Sequence, residues 1–171
     1  VGLGDWLLFT ADDGTTGREL WRTDGTAAGT VQIADIEGGA ASSAPSGLLA
    51  VGDLVFFSAE ESNFGREPWR SDGTPAGTWR IADIEIGWLG SNPWTPIEFQ
   101  GGRVLFTAET SVEGREPWVS DGTAAGTRLL LDILPGTDGS KANDLVTAGS
   151  RRAYFRATGA TGGSELWVTD G

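Results

Sequence analysis

The stretch Gly65–Thr78 reads GREPWRSDGTPAGT, and three close copies of it lie elsewhere in the chain. Gly17–Thr30 reads GRELWRTDGTAAGT, Gly114–Thr127 reads GREPWVSDGTAAGT, and Gly163–Gly171 reads GSELWVTDG. The tryptophan of each copy follows the previous one by 48 or 49 residues. A fixed period of this length is typical of propeller blades or of another repeat array.

A strand with apolar residues on both faces precedes each copy. The four strands are Trp6–Ala11, Leu54–Ala59, Arg103–Ala108 and Arg152–Ala157. Successive side chains of a strand point to opposite faces, so Phe56 and Phe57 place apolar surface on both. Such a strand is typical of burial between two packed sheets. Two repeated aromatic columns are therefore expected in the core: Trp21, Trp69, Trp118, Trp167, Phe9, Phe57, Phe106 and Phe155.

Three further strands complete each period. One carries the ELW or EPW tripeptide, and the Asp-Gly that follows is the strongest short hairpin signal. We expect the next strand at Thr30–Ile36, Thr78–Ile84 and Thr127–Ile133, before a loop that leads to the following period. Four antiparallel strands repeated in this way form propeller blades. The sequence therefore predicts an all-β, β-propeller-type array of four-stranded antiparallel blades, about three and a half repeats of 48–49 residues.

The predicted blade boundaries divide one module, residues 1–171, into four segments. They are a partial blade at 1–36, blades at 37–84 and 85–133, and a partial blade at 134–171. We expect fourteen strands, because the first segment lacks its first strand and the last segment lacks its fourth. Unpaired strand edges attract other strands. The module is therefore expected to assemble with identical or continuing chains, as a homo-oligomer, a filament or part of a longer repeat chain.

The composition excludes several classes of partner and site. Twenty-four acidic residues against 12 basic ones give a net charge of −12, which disfavours nucleic acid and anionic membranes as partners. Cysteine and histidine are absent, so disulfides, thiolate sites and imidazole metal sites are excluded. No apolar run approaches the ~18 residues of a membrane span. The chain begins at Val1 and contains no methionine, which indicates a mature secreted product or an excised piece.

The repeated motif reads ELWRTDGTAAGT, EPWRSDGTPAGT, EPWVSDGTAAGT and ELWVTDG, and it resembles the ELWxxDGT repeat family of bacterial secreted and surface proteins. The chain departs from the family at Pro68 and Pro117, where the family has leucine. The resemblance implies an extracellular, multi-repeat, propeller-like protein with no chemistry to transfer. The turn is also similar to the Asp-box of sialidases and related propellers, which stabilises a hairpin.

The aspartates of the Asp-Gly dipeptides are expected to cap their own turns by accepting backbone N–H groups. These residues are Asp24, Asp72, Asp121 and Asp170. A cation site is the alternative use of carboxylates, and calcium prefers oxygen ligands. The better place for calcium is the acidic turn after the second strand, with Asp12, Asp13, Glu60, Glu61, Glu109 and Glu113. Calcium is accordingly the one cofactor that we consider.

Three tryptophans lie outside the repeat pattern and all within one period: Trp79, Trp88 and Trp94. Such residues either fill loops or border a contact surface for a protein or a sugar. We predict that they border a contact surface.

The sequence favours a non-enzymatic role. Without histidine or cysteine, and with Lys141 and Tyr154 as the single lysine and tyrosine, the usual nucleophile and base pairs are missing. No pair of carboxylates stands out from the repeat. We therefore expect an extracellular structural or interaction module. The alternatives are a carbohydrate-binding propeller and part of a propeller enzyme whose catalytic residues lie elsewhere.

Overall fold

The computed structural model describes residues 1–149 and 151–171, and every regular element in them is a β-strand. The first sheet comprises β1 (Gly2–Leu3), β2 (Trp6–Asp12), β3 (Arg18–Thr23) and β4 (Val31–Ala34). The second comprises β5 (Ser46–Val51), β6 (Leu54–Glu61), β7 (Gly65–Ser71) and β8 (Trp79–Arg80). The third comprises β9 (Trp94–Phe99), β10 (Arg103–Thr110), β11 (Gly114–Ser120) and β12 (Arg128–Leu129). The fourth comprises β13 (Asn143–Ala148), β14 (Arg152–Thr158) and β15 (Ser164–Thr169).

Each sheet is antiparallel, and its strands pair in the order in which they occur along the chain. The chain is thus all-β, with four successive antiparallel sheets of three or four strands. The first strands β5, β9 and β13 of successive sheets lie beside one another. Residues 1–149 and 151–171 contain no helix that is long and apolar enough to cross a bilayer.

The sheets pack face to face, with one hydrophobic core between each neighbouring pair. Leu8 and Leu20 of the first sheet pack with Val55 and Phe57 of the second. On the opposite face of β6, Phe56 packs with the third sheet. We call the face directed at the preceding sheet the leading face and the face directed at the following sheet the trailing face. The second strands of the two inner sheets, β6 and β10, are apolar on both sides because each belongs to two cores.

Fifteen strands are present in the described residues, so the prediction of fourteen was wrong. The additional strand is β1, in which Gly2 and Leu3 pair with Leu7 and Trp6. A strand of two residues is too short to show a periodic pattern. Leu3 is nevertheless buried in the core between the first two sheets, and this contact holds β1 in place.

The fourth strand is shorter than predicted, most clearly where proline replaces leucine in the third. Leu20 of β3 pairs with Ala34, and β4 extends over four residues. Pro68 lies within β7 and accepts a hydrogen bond from the Ile81 nitrogen at 2.8 Å, but proline has no N–H to donate in return. β8 consequently ends after two residues. Pro117 has the same effect on β12.

Candidate functional site

The Asp-Gly turn is a self-contained hydrogen-bonded unit. In the second repeat, Asp72 Oδ1 accepts bonds from the Thr74 nitrogen at 2.9 Å and the Thr74 hydroxyl at 2.7 Å. The Thr74 hydroxyl is the main reason that the pKa of Asp72 lies below its usual value. Gly77 packs so closely on this carboxylate that an added Cβ would lie 1.9 Å from Asp72 Oδ1. The motif DGTxAGT is therefore explained by turn structure.

The same turn recurs with matching distances at Asp24 and Asp121. The fourth aspartate, Asp170, is exposed, and the following Gly171 nitrogen donates to the Thr169 hydroxyl at 3.1 Å. Three of the four predicted turn aspartates therefore accept the expected bonds, and each uses its carboxylate within its own turn.

A set of buried glutamates was not anticipated from the sequence. Glu19, Glu67 and Glu116 are the glutamates of ELW and EPW, and each is 0% exposed. Glu67 accepts bonds from the Ser91 nitrogen at 2.8 Å, the Ser91 hydroxyl at 2.6 Å and the Ile84 nitrogen at 3.1 Å. Burial raises its pKa above the usual value. Each glutamate thus fastens the loop that leads to the next sheet onto its own sheet.

The sequence does carry a signal for this contact. A serine follows each of the three glutamates at a distance of 24 residues. The equivalent residue of the fourth repeat, Glu165, is exposed.

The six acidic residues considered for calcium are spread over three separate turns. In the first turn, Asp13 Oδ1 accepts bonds from the Thr15 and Thr16 nitrogens, both at 2.8 Å, and these bonds hold its pKa well below the usual range. Asp12 accepts from the Gly14 nitrogen at 2.7 Å.

The acids of the other two turns bind neighbouring side chains. Glu61 pairs with Arg80 at 2.5 Å, and Glu109 pairs with Arg115 at 3.0 Å. Glu60 lies 3.6 Å from Arg66, and Glu113 bonds the Thr110 hydroxyl. Within the described residues, no three acidic side chains come together as a metal-binding group. Calcium stays a prediction.

The off-repeat tryptophans are exposed but lie on different elements. Trp79 lies on β8, where the Arg70 guanidinium is 3.7 Å from its ring centroid. Trp88 lies in the loop that leads to β9, and Trp94 begins β9. The predicted contact surface is thus distributed between the last strand of one sheet and the first strand of the next.

The two outward faces of the array carry exposed apolar residues. On the leading face of the first sheet, Leu7 is 49% exposed, whereas the equivalent Val55 is 0% exposed. On the trailing face of the fourth sheet, Leu166 is 74% exposed, whereas the equivalent Leu20 is 0% exposed. Val146 and Val168 lie on the same trailing face and are also exposed.

The exposure of the repeated phenylalanines also depends on whether a neighbouring sheet covers them. Phe57, Phe106, Phe155 and Trp69 are buried. Phe9 is only half-buried, because no sheet in the described chain covers its leading face. Trp21, Trp118 and Trp167 are half-buried.

Comparison of the chain with family models, curated proteins and solved structures found no match. The resemblance to the ELWxxDGT repeat thus stays a prediction that rests on the motif itself.

Proposed function

We propose that this chain is a non-enzymatic, extracellular structural module of a bacterial propeller-like repeat protein, whose outward sheet faces dock onto equivalent sheets of identical or continuing chains. One observation carries the proposal. The leading face of the first sheet and the trailing face of the fourth are the two halves of an interface that the chain forms internally three times.

The internal interfaces indicate what such docking would bury. Leu20 on a trailing face lies in one core with Val55 and Phe57 on a leading face. By equivalence, Leu166 of one unit would meet Leu7 and Phe9 of the next. Burying a leucine or phenylalanine side chain contributes about 1.5–3 kcal/mol, so a few such residues favour association.

The contact would be heterologous, since a leading face meets a trailing face. Repeated contacts of this kind close into a ring or grow as a filament, depending on the rotation between units. Adjacent first strands, as in β5, β9 and β13, are the arrangement expected around a propeller axis.

The remaining polar features support a structural role. The repeated aspartates accept hydrogen bonds within their turns, and the repeated glutamates accept hydrogen bonds from the connecting loops. These carboxylates therefore have structural roles. Trp79, Trp88 and Trp94 form the proposed contact surface for a protein partner or a sugar. Calcium at the acidic turns would reinforce those turns.

The proposal is tested with one substitution on each outward face. Leu7→Asp blocks the leading face, and Leu166→Asp blocks the trailing face. Each variant alone is expected to be monomeric by analytical ultracentrifugation, at concentrations where the unaltered chain assembles. Mixed together, the two variants should form a one-to-one dimer, because each retains the face that the other lacks.

Ile86→Asp is the matched control, since Ile86 is an exposed apolar residue in the β8–β9 loop. It should assemble like the unaltered chain. If the unaltered chain is monomeric throughout the concentration range, or if the mixture stays monomeric, docking through these faces is refuted.

A further inference from the structure

A cavity of about 310 Å³ lies between the second and third sheets. Phe56 and Pro68 on the trailing face of the second sheet form one wall, and Val104 and Phe106 on the leading face of the third form the other. We call this space the inter-sheet cavity. Small-molecule pockets have volumes of roughly 300–1,000 Å³, and a cavity of about 150 Å³ holds benzene. The inter-sheet cavity is therefore large enough for a substituted aromatic ring.

In the wall of this cavity, proline stands where the first repeat has leucine. In the first repeat, Leu20 is fully buried between the first and second sheets. Pro68 is its equivalent in the second repeat, but its ring is smaller and lines the inter-sheet cavity. Pro117 is the equivalent in the third repeat and lines a separate cleft against the fourth sheet. Each of the two prolines thus borders an open space at this position.

Two of the residues that line the cavity, Thr95 and Trp69, carry a buried polar atom with no hydrogen-bond partner. The Thr95 hydroxyl is buried and makes no hydrogen bond. The hydroxyls of Ser46 and Ser58, which also line the cavity, bond one another at 3.0 Å. The site suits an apolar molecule that carries one hydrogen-bonding oxygen.

Thr95 is also strained. Its φ is 50°, in the left-handed region, which is unfavourable for a β-branched residue. The equivalent residues Gly47 and Asp144 also have left-handed φ values, 67° and 54°, so this conformation belongs to the register shift that each of these first strands contains.

The mouth of the cavity is accessible and aromatic. Trp94, which precedes Thr95, is 65% exposed and lines the cavity, as does the exposed Gly47. A flat aromatic ligand entering here would contact the indole before it reaches the interior.

We infer that the inter-sheet cavity binds a small aromatic molecule bearing one carbonyl or hydroxyl oxygen, with the ring between Phe56 and Phe106 and the oxygen at the Thr95 hydroxyl. This site is distinct from the outward sheet faces and does not depend on assembly.

The test uses acetophenone and ethylbenzene, which have similar shapes and differ in the oxygen, titrated by calorimetry or ligand-observed NMR. Both should bind the unaltered chain. Thr95→Gly, the residue found at the equivalent position of β5, should weaken acetophenone binding about 5-fold, because it removes one hydrogen bond. Ethylbenzene binding should change less than about 2-fold, since it makes no such bond.

Pro68→Leu places in the cavity the side chain that fills the first interface, and it should weaken both probes by more than about 10-fold. Pro117→Leu makes the same replacement at the other cleft and should leave both affinities unchanged. The inference is overturned if neither probe binds the unaltered chain, or if Pro68→Leu and Pro117→Leu act alike. If Pro68→Leu does not fold, equal effects of Thr95→Gly on both probes overturn it instead.

Discussion

At the scale of single residues, the repeated motif is a set of steric and hydrogen-bonding requirements. The aspartate of Asp-Gly needs a threonine two residues later, which supplies both a nitrogen and a hydroxyl to one carboxylate oxygen. The glycine five residues after the aspartate is needed because its Cα faces that carboxylate. These requirements act within one turn, so the sequence motif alone could predict the capping role of the aspartate.

Gly77→Ala should destabilise the protein by about 1–3 kcal/mol, the usual cost of overpacking. The new methyl group would displace the Asp72 carboxylate and break its bonds to Thr74. Gly38→Ala is the matched control, since a Cβ there meets nothing within 4 Å. Neither glycine has a positive φ, so backbone strain contributes to neither variant. Equal urea midpoints for the two variants would contradict this explanation of the motif.

At the scale of strands, the second strands of the two inner sheets were predictable because both of their faces are apolar and both are packed. The fourth strand was predicted too long, because the hydrogen bond that Pro68 cannot donate shortens the neighbouring strand, a non-local effect. β1 was missed because two residues show no period. The buried glutamates were missed because their partners are backbone groups of a loop 17–24 residues away. The features that the sequence did not predict are therefore those that depend on contacts between separate segments of the chain.

Phe106→Ala should cost about 3–5 kcal/mol in denaturant unfolding, the range for removing a buried phenylalanine. Phe106 lies in the core between the second and third sheets. Phe9→Ala removes the equivalent but half-buried residue and should cost clearly less. The comparison belongs at a concentration where the chain is monomeric, since docking of the leading face would bury Phe9. A loss below about 1 kcal/mol for Phe106→Ala would contradict the packing of β10 between two sheets.

At the scale of the whole molecule, stability is distributed along the array. Neighbouring sheets share one core, and each connecting loop is fastened by a buried glutamate. Repeat proteins of this kind have stabilities that are approximately sums of unit and interface contributions. Ionisable groups that recur in every unit therefore add up in the pH dependence of the whole chain.

Asp24, Asp72 and Asp121 should together make the protein sensitive to acid. The pKa of each is lowered in the folded state, chiefly by the hydroxyl of the threonine two residues on. A lowered pKa stabilises the folded state above the unfolded value of about 3.9, and this stabilisation is lost as the pH falls through the folded pKa. Glu67 acts in the opposite sense, because burial raises its pKa and its contribution is lost as the pH rises above about 4.3. The acid loss should therefore lie below about pH 4.

Asp72→Asn should reduce the acid loss by removing one of the aspartates whose pKa is lowered, while keeping an acceptor oxygen at Thr74. The measurement is the urea midpoint at a series of pH values from neutral to about 2.5, which spans the unfolded pKa of aspartate. Asp53→Asn is the control, because Asp53 is exposed in the β5–β6 turn and its replacement removes the same single charge from a chain of net charge −12. Any general relief of charge repulsion is thus common to both variants. If the urea midpoints of the two variants change with pH at different slopes below about pH 4, the difference arises from the Asp72 turn. Parallel profiles would show that the Thr74 bonds do not set the acid stability.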